Sequence, residues 1–204
     1  MMAPDTLLAL TTFSIVSCGT PGPNNMMLLS SGATFGFRRT LPHLFGISGG
    51  CIVMIVLLGF GLAAVLARMP WLYTLLHLVS TGYLLYLAWR IATSVGVGTA
   101  SERARPLTFL DAAAFQWVNP KAWAMTLGAV TSFARPDHFG LDIATIAIVI
   151  CVTGLPCIML WAGGGTLVRR LLTRPGTLRA FNVSMAVLLV VSLIPGLFEL
   201  SHRA

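Results

Sequence analysis

Charge punctuates this chain instead of patterning it. No charged residue falls between Asp5 and Arg38, Arg39 and Arg68, Arg68 and Arg90, Asp142 and Arg169, or Arg179 and Glu199. Each interval holds one apolar helix of about 20 residues, the length that spans a bilayer. The interval from Asp111 to Arg135 contains a single charge, Lys121, and reads as a sixth span. The pattern predicts helices over 6–36, 43–67, 71–91, 108–133, 143–167 and 178–198. The runs are about twice as long as barrel strands and lack alternation, so no strand is predicted. Connections are short except for 94–107, where Gly, Ser, Arg and Pro mark an exposed loop.

That loop divides one transmembrane transporter domain, 1–204, into two triplets: a first repeat over about 1–94, a loop over 95–107 and a second repeat over about 108–204. Three is odd, so the triplets must have opposite orientation, the inverted plan of many transporters. Motifs recur about a hundred residues apart. Thr20-Pro21 matches Asn119-Pro120, Arg68 matches Arg169 or Arg170, and Ser80-Thr81-Gly82 matches Asn182-Val183-Ser184. The expected architecture is an all-α integral membrane protein of six transmembrane helices, with helices one and four broken at proline motifs.

Composition agrees. Of 204 residues, 56% are apolar and 9% charged, against about 25% charged in soluble domains. So few charges cannot cover a soluble globule, and disordered chains are poor in apolar residues. The net charge of +7 comes from small arginine groups between apolar runs, not from a basic stripe interleaved with aromatics, which argues against nucleic acid as a partner. Loops after the odd spans hold Arg38, Arg39, Arg90, Arg103, Arg105, Arg169, Arg170, Arg174 and Arg179. The other side holds Arg68, Arg135 and Arg203. This bias places the odd loops in the cytoplasm and both termini outside it, and the arginines should attract anionic headgroups of the bilayer. With no Lys or Arg ahead of it, the first run is expected to be a retained helix and not a signal peptide.

Candidate chemistry lies where the spans break. Thr20-Pro21-Gly22-Pro23-Asn24-Asn25 cannot continue a helix, because each proline removes a donor and clashes with the turn before it. The freed carbonyls must face protein or an aqueous cavity. Pro23 restarts a half-helix whose N–H groups and positive dipole end suit a carboxylate. In the second break, Asn119 caps a half-helix begun by Pro120. Lys121 is the basic residue placed deep in a span, and such a charge requires a partner. Three roles stand open: it binds a substrate carboxylate, it pairs with Asp111 or a backbone carbonyl to hold the fold, or it snorkels to the interface. Asp111 is ten residues away, about 15 Å along a helix, which disfavours a pair within one helix.

Other signals read as structure. Gly32/Gly36 and Gly46/Gly50 permit close helix packing. Pro156 should kink the fifth span and Pro195 should kink or end the sixth. Gly163-Gly164-Gly165 suits a hinge. Trp71, Tyr73, Tyr83, Tyr86 and Trp89 suit the membrane interfaces. Cys18, Cys51, Cys151 and Cys157 show neither disulfide nor metal spacing and read as small buried groups. The four histidines have no metal spacing, and no phosphate-binding loop or other cofactor motif occurs.

The motifs together resemble the lysine exporter (LysE/RhtB) family of amino-acid translocators. The resemblance is carried by Thr20-Pro21-Gly22-Pro23-Asn24, Trp117-Val118-Asn119-Pro120-Lys121-Ala122-Trp123, Gly36-Phe37-Arg38-Arg39, Gly46 and Gly50, and it covers nearly the whole chain. It implies a bacterial inner-membrane exporter of amino acids or related small zwitterions, driven by protons or another ion, and no enzyme. A homo-oligomer is compatible with such a chain. The expected substrate-binding residues are Thr20, Pro21, Gly22, Pro23, Asn24, Asn119, Pro120 and Lys121, with no catalytic residue and no metal. The competing readings are a thiol-redox membrane protein or another membrane enzyme. The first lacks a matching cysteine in the second half, where Trp117 stands opposite Cys18. The second lacks clustered carboxylates or a Ser/His pair.

Overall fold

The computed structural model describes residues 2–93, 106–168, 175–191 and 194. Its described residues are helical apart from short connections. The helices are α1 (Pro4–Gly19), α2 (Pro23–Phe35), α3 (Phe37–Leu57), α4 (Ala63–Arg68), α5 (Pro70–Ala92), α6 (Phe109–Phe115), α7 (Pro120–Phe133), α8 (Phe139–Val168) and α9 (Pro175–Val191). A single 3-10 turn, Gln116–Val118, joins α6 towards α7, and one wide helical turn, Leu58–Leu62, joins α3 to α4.

Two helical stretches, Phe37–Leu66 and Pro136–Val168, are apolar and long enough to cross a membrane. Large apolar side chains cover the outside as well as the core: Phe60, Trp71, Leu110, Leu141, Val152, Leu160 and Leu167 are all exposed. Contiguous surface of this kind suits hydrocarbon, not water. Trp71, Tyr83, Tyr86 and Trp89 are exposed along α5.

The helix starts follow from local chemistry. Pro4, Pro23 and Pro120 each occupy the first turn of their helix, where the missing N–H costs nothing. Thr108 and Asp111 exchange side-chain and backbone bonds in a capping box that opens α6. Gly36 alone separates α2 from α3, at φ 82°, a conformation open to glycine. The second span therefore begins at Phe37, six residues before the predicted start, because the chain turns without a loop. That span is also interrupted where no break was predicted. Gly61 stands at φ 109° inside the wide turn, and Gly59 lies against the Ile143 side chain. Pro156, by contrast, sits inside an uninterrupted α8.

Small residues bring the helices together. A Cβ on Gly32 would run into the Ala162 carbonyl, and one on Gly165 into the Leu29 carbonyl, so α2 and α8 cross backbone to backbone. Gly165 is thus a packing position. Thr166 Oγ1 donates to the Gly32 carbonyl at the same crossing, 3.2 Å. Gly46 meets Phe109 O and Ala112, and Gly50 meets Ala113 O and Gln116, which seats α6 along α3. At the α7–α8 corner, Arg135 donates from its backbone N, Nε and Nη2 to Asp142, at 3.0, 2.8 and 2.9 Å. Leu84 and Ala88 of α5 pack on Ala186 and Leu189 of α9.

Several sequence expectations lie outside the described residues: most of the 94–107 loop with Arg103 and Arg105, the Arg169, Arg170, Arg174 and Arg203 positions, the side chains of Tyr73, Arg90 and Asn182, and Pro195 with the end of the sixth span.

The α2–α8 crossing yields a paired prediction. Gly165→Ala should destabilise the protein by about 1–3 kcal/mol, because backbone cannot retreat as a side chain can. Gly163→Ala meets nothing within 4 Å and should be neutral or stabilising by up to about 1 kcal/mol. Reversible unfolding in mixed micelles measures both; equal effects would contradict the crossing.

Candidate functional site

The first proline break leaves the carbonyls at the end of α1 without helical partners, and side chains from three other helices take them up. Thr20 N donates to Val16 O at 3.0 Å, and Thr20 Oγ1 donates to the same carbonyl at 2.8 Å. Asn25 Nδ2, across the break in α2, donates to Cys18 O at 2.8 Å and Thr20 O at 2.7 Å. Trp161 Nε1 of α8 donates to Gly19 O at 3.1 Å. Lys121 Nζ of α7 donates to Thr20 O and Thr20 Oγ1, both at 2.8 Å, and to Pro21 O at 3.2 Å. An ammonium has three N–H groups, so all three are used. It also sits at the negative dipole end of α1, where a cation is favoured.

The second break is satisfied largely within itself. Asn119 N donates to Gln116 O at 3.2 Å, which replaces the bond Pro120 cannot make. Asn119 Oδ1 accepts from Lys121 N at 3.1 Å, and Asn119 O accepts from Ala122 N and Trp123 N. Trp123 Nε1 reaches Trp117 O at 2.9 Å, with the two indoles edge to face. The first turn of α7 therefore spends its amides on Asn119.

The two breaks touch. Lys121 makes one bridge and an amide pair makes the other. Asn24 Nδ2 donates to Gln116 Oε1 at 2.8 Å, and Gln116 Nε2 donates back to Asn24 Oδ1 at 3.1 Å. Gln116 is fully buried and also donates to Ala112 O, so its amide is saturated. Gly22 explains itself by space. Its backbone is extended at φ −179°, which any residue adopts, but a Cβ there would strike Cδ and Nζ of Lys121.

A partly open cavity of about 580 Å³, mouth included, adjoins this junction. Gly22, Asn24, Asn25, Asn119 and Lys121 form its polar wall. Ile47, Ile52, Met125, Ile158 and the thiols of Cys18, Cys51 and Cys151 form much of the rest, with Ser17 and Ser48 adding hydroxyls. It sets a few polar groups on a largely apolar lining, the make-up of small-molecule sites. Lys121 is the one charged side chain among the described lining residues.

Of the residues expected to bind substrate, Lys121 meets Thr20 and Pro21 directly, and Asn24 reaches the second break through Gln116. Gly22 and Asn119 line the cavity, whereas Pro23 and Pro120 act as helix starts beside it. Three contributors lay outside that set. Asn25 and Gln116 carried a signal, being polar residues in apolar spans. Trp161 carried none, since an indole in an apolar helix reads as packing. The Lys121 partner is a set of α1 carbonyls and a hydroxyl, and Asp111 belongs to the α6 cap.

The LysE type translocator family profile matches residues 15–192. The chain belongs to that family. It is therefore a membrane translocator, and the enzyme and thiol-redox readings fall away. It is 34% identical over 191 residues to a protein of Salmonella typhimurium (strain LT2) named cysteine/O-acetylserine efflux protein, covering 93% of this chain and 96% of the relative. The protein of that name from Escherichia coli (strain K12) is 32% identical over 193 residues, with the same coverage. No solved structure matches.

The amide bridge generates a double-mutant test. Asn24→Ala or Gln116→Ala leaves a half-buried or buried partner unsatisfied, and each should cost about 1–3 kcal/mol. The double variant should cost clearly less than the sum, since both orphaned groups are gone. Additive losses in the same unfolding assay would show that the two amides do not act as a pair.

Proposed function

We propose that this translocator exports small, neutral amino acids of the cysteine and O-acetylserine class, with the cavity beside the two breaks as its binding site. The observation that carries the reading is the junction itself: the Lys121 ammonium, tied to the Thr20 and Pro21 carbonyls, and the amides of Asn24, Asn25 and Asn119 line one cavity whose other walls are mainly apolar side chains and thiols. A zwitterion needs both an anion partner and a cation partner at one end, and a plain pocket for its side chain. Cys51, Met125, Ile47 and Ile52 offer a soft, uncharged surface that suits a thiol or an acetyl ester. The names of the two enterobacterial relatives point to the same class.

The substrate residues are Thr20, Pro21, Gly22, Pro23, Asn24, Asn119, Pro120 and Lys121, supported by Asn25 and Gln116. Lys121 both ties the breaks together and reads the carboxylate. The substrate ammonium competes for the Thr20 and Pro21 carbonyls, and the Lys121 ammonium it displaces meets the carboxylate. The frame is one domain of six spans in two inverted triplets, embedded in the bacterial inner membrane with both termini outside the cytoplasm. The proline motifs recurring a hundred residues apart and the arginine bias support that arrangement. An ion gradient, most simply of protons, supplies the driving force, and a homo-oligomer fits the apolar exterior.

The test is initial efflux per folded transporter in proteoliposomes. Lys121→Met should lower transport of O-acetylserine at least about tenfold, the size of one lost charge-assisted bond, while the protein still reaches the membrane. Lys121→Arg should also be impaired, because a planar fork does not replace a point charge among three convergent acceptors. Near wild-type efflux from Lys121→Met would refute the substrate role. Accessibility labelling at Ser101 and the C-terminus tests the topology; a cytoplasmic C-terminus contradicts it.

A further inference from the structure

His43 has no place in the site just described, yet among the described residues it is the one whose buried side-chain nitrogens lack any partner. The residue lies on α3, 1% exposed, and neither Nδ1 nor Nε2 has a hydrogen-bond partner. A neutral imidazole carries one donor and one acceptor, and buried polar groups are ordinarily paired. Packing alone would be served better by leucine. His43 sits one turn before Gly46 and Ile47, on the α3 face that α6 closes against through Gly46 and Gly50. Ile47 begins the cavity lining on α3, so the imidazole is about 6 Å along the helix from the cavity. It lies towards the Arg38 and Arg39 end.

The titratable and charged groups on the elements packed against α3 are committed elsewhere or cannot serve. On α6, Asp111 belongs to the capping box with Thr108. On α7, Lys121 spends its three N–H groups on Thr20 and Pro21. On α8, Asp142 is held by Arg135 at the far corner, and Cys151 and Cys157 are thiols. On α3 itself, Arg38 and Arg39 are exposed and permanently charged, and Cys51 is a buried thiol. No described residue of α2 titrates. Once water reaches it, His43 is thus a group that can gain and lose a proton without first breaking an existing bond.

We infer that His43 is the coupling-proton site of the transport cycle. When the α3–α6 face parts, water reaches the ring and the imidazole takes a proton from the side to which it is open. The cation cannot return to an unpaired buried site, so the protonated form changes the side it faces with the α3–α6 face still parted, and the face closes again only after the proton has left to the opposite side. The buried, unpartnered ring corresponds to the deprotonated, closed form. This rests on the export reading, and the test separates the two.

The full chain is reconstituted in proteoliposomes with labelled O-acetylserine and assayed in two ways. Counterflow needs the site but no gradient, whereas accumulation against a concentration difference needs an imposed pH gradient. The expected result is that wild type does both, and that His43→Gln keeps counterflow but loses pH-driven accumulation down to the gradient-free level. His43→Leu should behave alike and keep or raise thermal stability, which a structural histidine would not allow. Retention of pH-driven accumulation by His43→Gln overturns the inference, as does a wild type that exchanges substrate but ignores the pH gradient. Loss of counterflow and accumulation together in both folded variants also overturns it, placing His43 in the basic machinery. A wild type without counterflow overturns the export reading itself.

Discussion

A carbonyl that loses its helical partner inside a bilayer finds no water to replace it. That constraint organises this molecule. Proline-rich sequence ends α1 at Gly19, and the chain must supply donors for the backbone left behind. It supplies them from α2 through Asn25, from α7 through Lys121 and from α8 through Trp161. Three other helices, two of them distant in sequence, are thereby fastened to one helix end. The second break is quieter, because Asn119 and Trp123 satisfy it locally. The asymmetry matters: the first break recruits other helices, and the second mainly supplies Lys121 and Gln116.

These bonds form only if the backbones approach closely enough. Dispersion and shape drive helix association in lipid, where hydrophobic burial has little to offer, and small residues set the distance. Gly32 and Gly165 let α2 and α8 cross carbonyl to side-chain position, while Gly46 and Gly50 let α6 settle on α3. The second contact carries Gln116 inward until it meets Asn24. Glycine packing and polar junction are two ends of one lever, since a methyl group at Gly50 would press directly on Ala113 and Gln116.

Much of this was legible from residue order. The charge-free intervals marked where apolar helices run, and the Pro-Gly-Pro and Asn-Pro-Lys runs marked both breaks within a residue or two, because no helix tolerates those residues mid-turn. Asn119 as a cap followed from its place before Pro120. The interruption of the second span did not show, since Gly59 and Gly61 in an apolar run read equally well as packing glycines; only the backbone at Gly61 separates the cases. The partner of Lys121 was also hidden. A sequence displays side chains that can pair, but not main-chain carbonyls that a distant kink has released. His43 was passed over for a related reason: its significance lies in having no partner, and that is a property of the packed state.

Lysine at position 121 fits the released carbonyls for a reason that bears on transport. An ammonium is compact and offers three donors without a plane, so it fits a cluster of Thr20 O, Thr20 Oγ1 and Pro21 O. The α-ammonium of an amino acid has the same charge, size and donor count. A site that satisfies one therefore satisfies the other, and on the proposed reading substrate and Lys121 are rivals for it. Binding then does more than fill a cavity. It releases the side chain that holds α7 to the end of α1, and the freed ammonium is available to a carboxylate a few bonds away. A ligand shifts a conformational equilibrium only through unequal interaction with the two states. Here the inequality is supplied by the exchange: the tied state offers the substrate no cation site, while the untied state offers both ends of a zwitterion a partner.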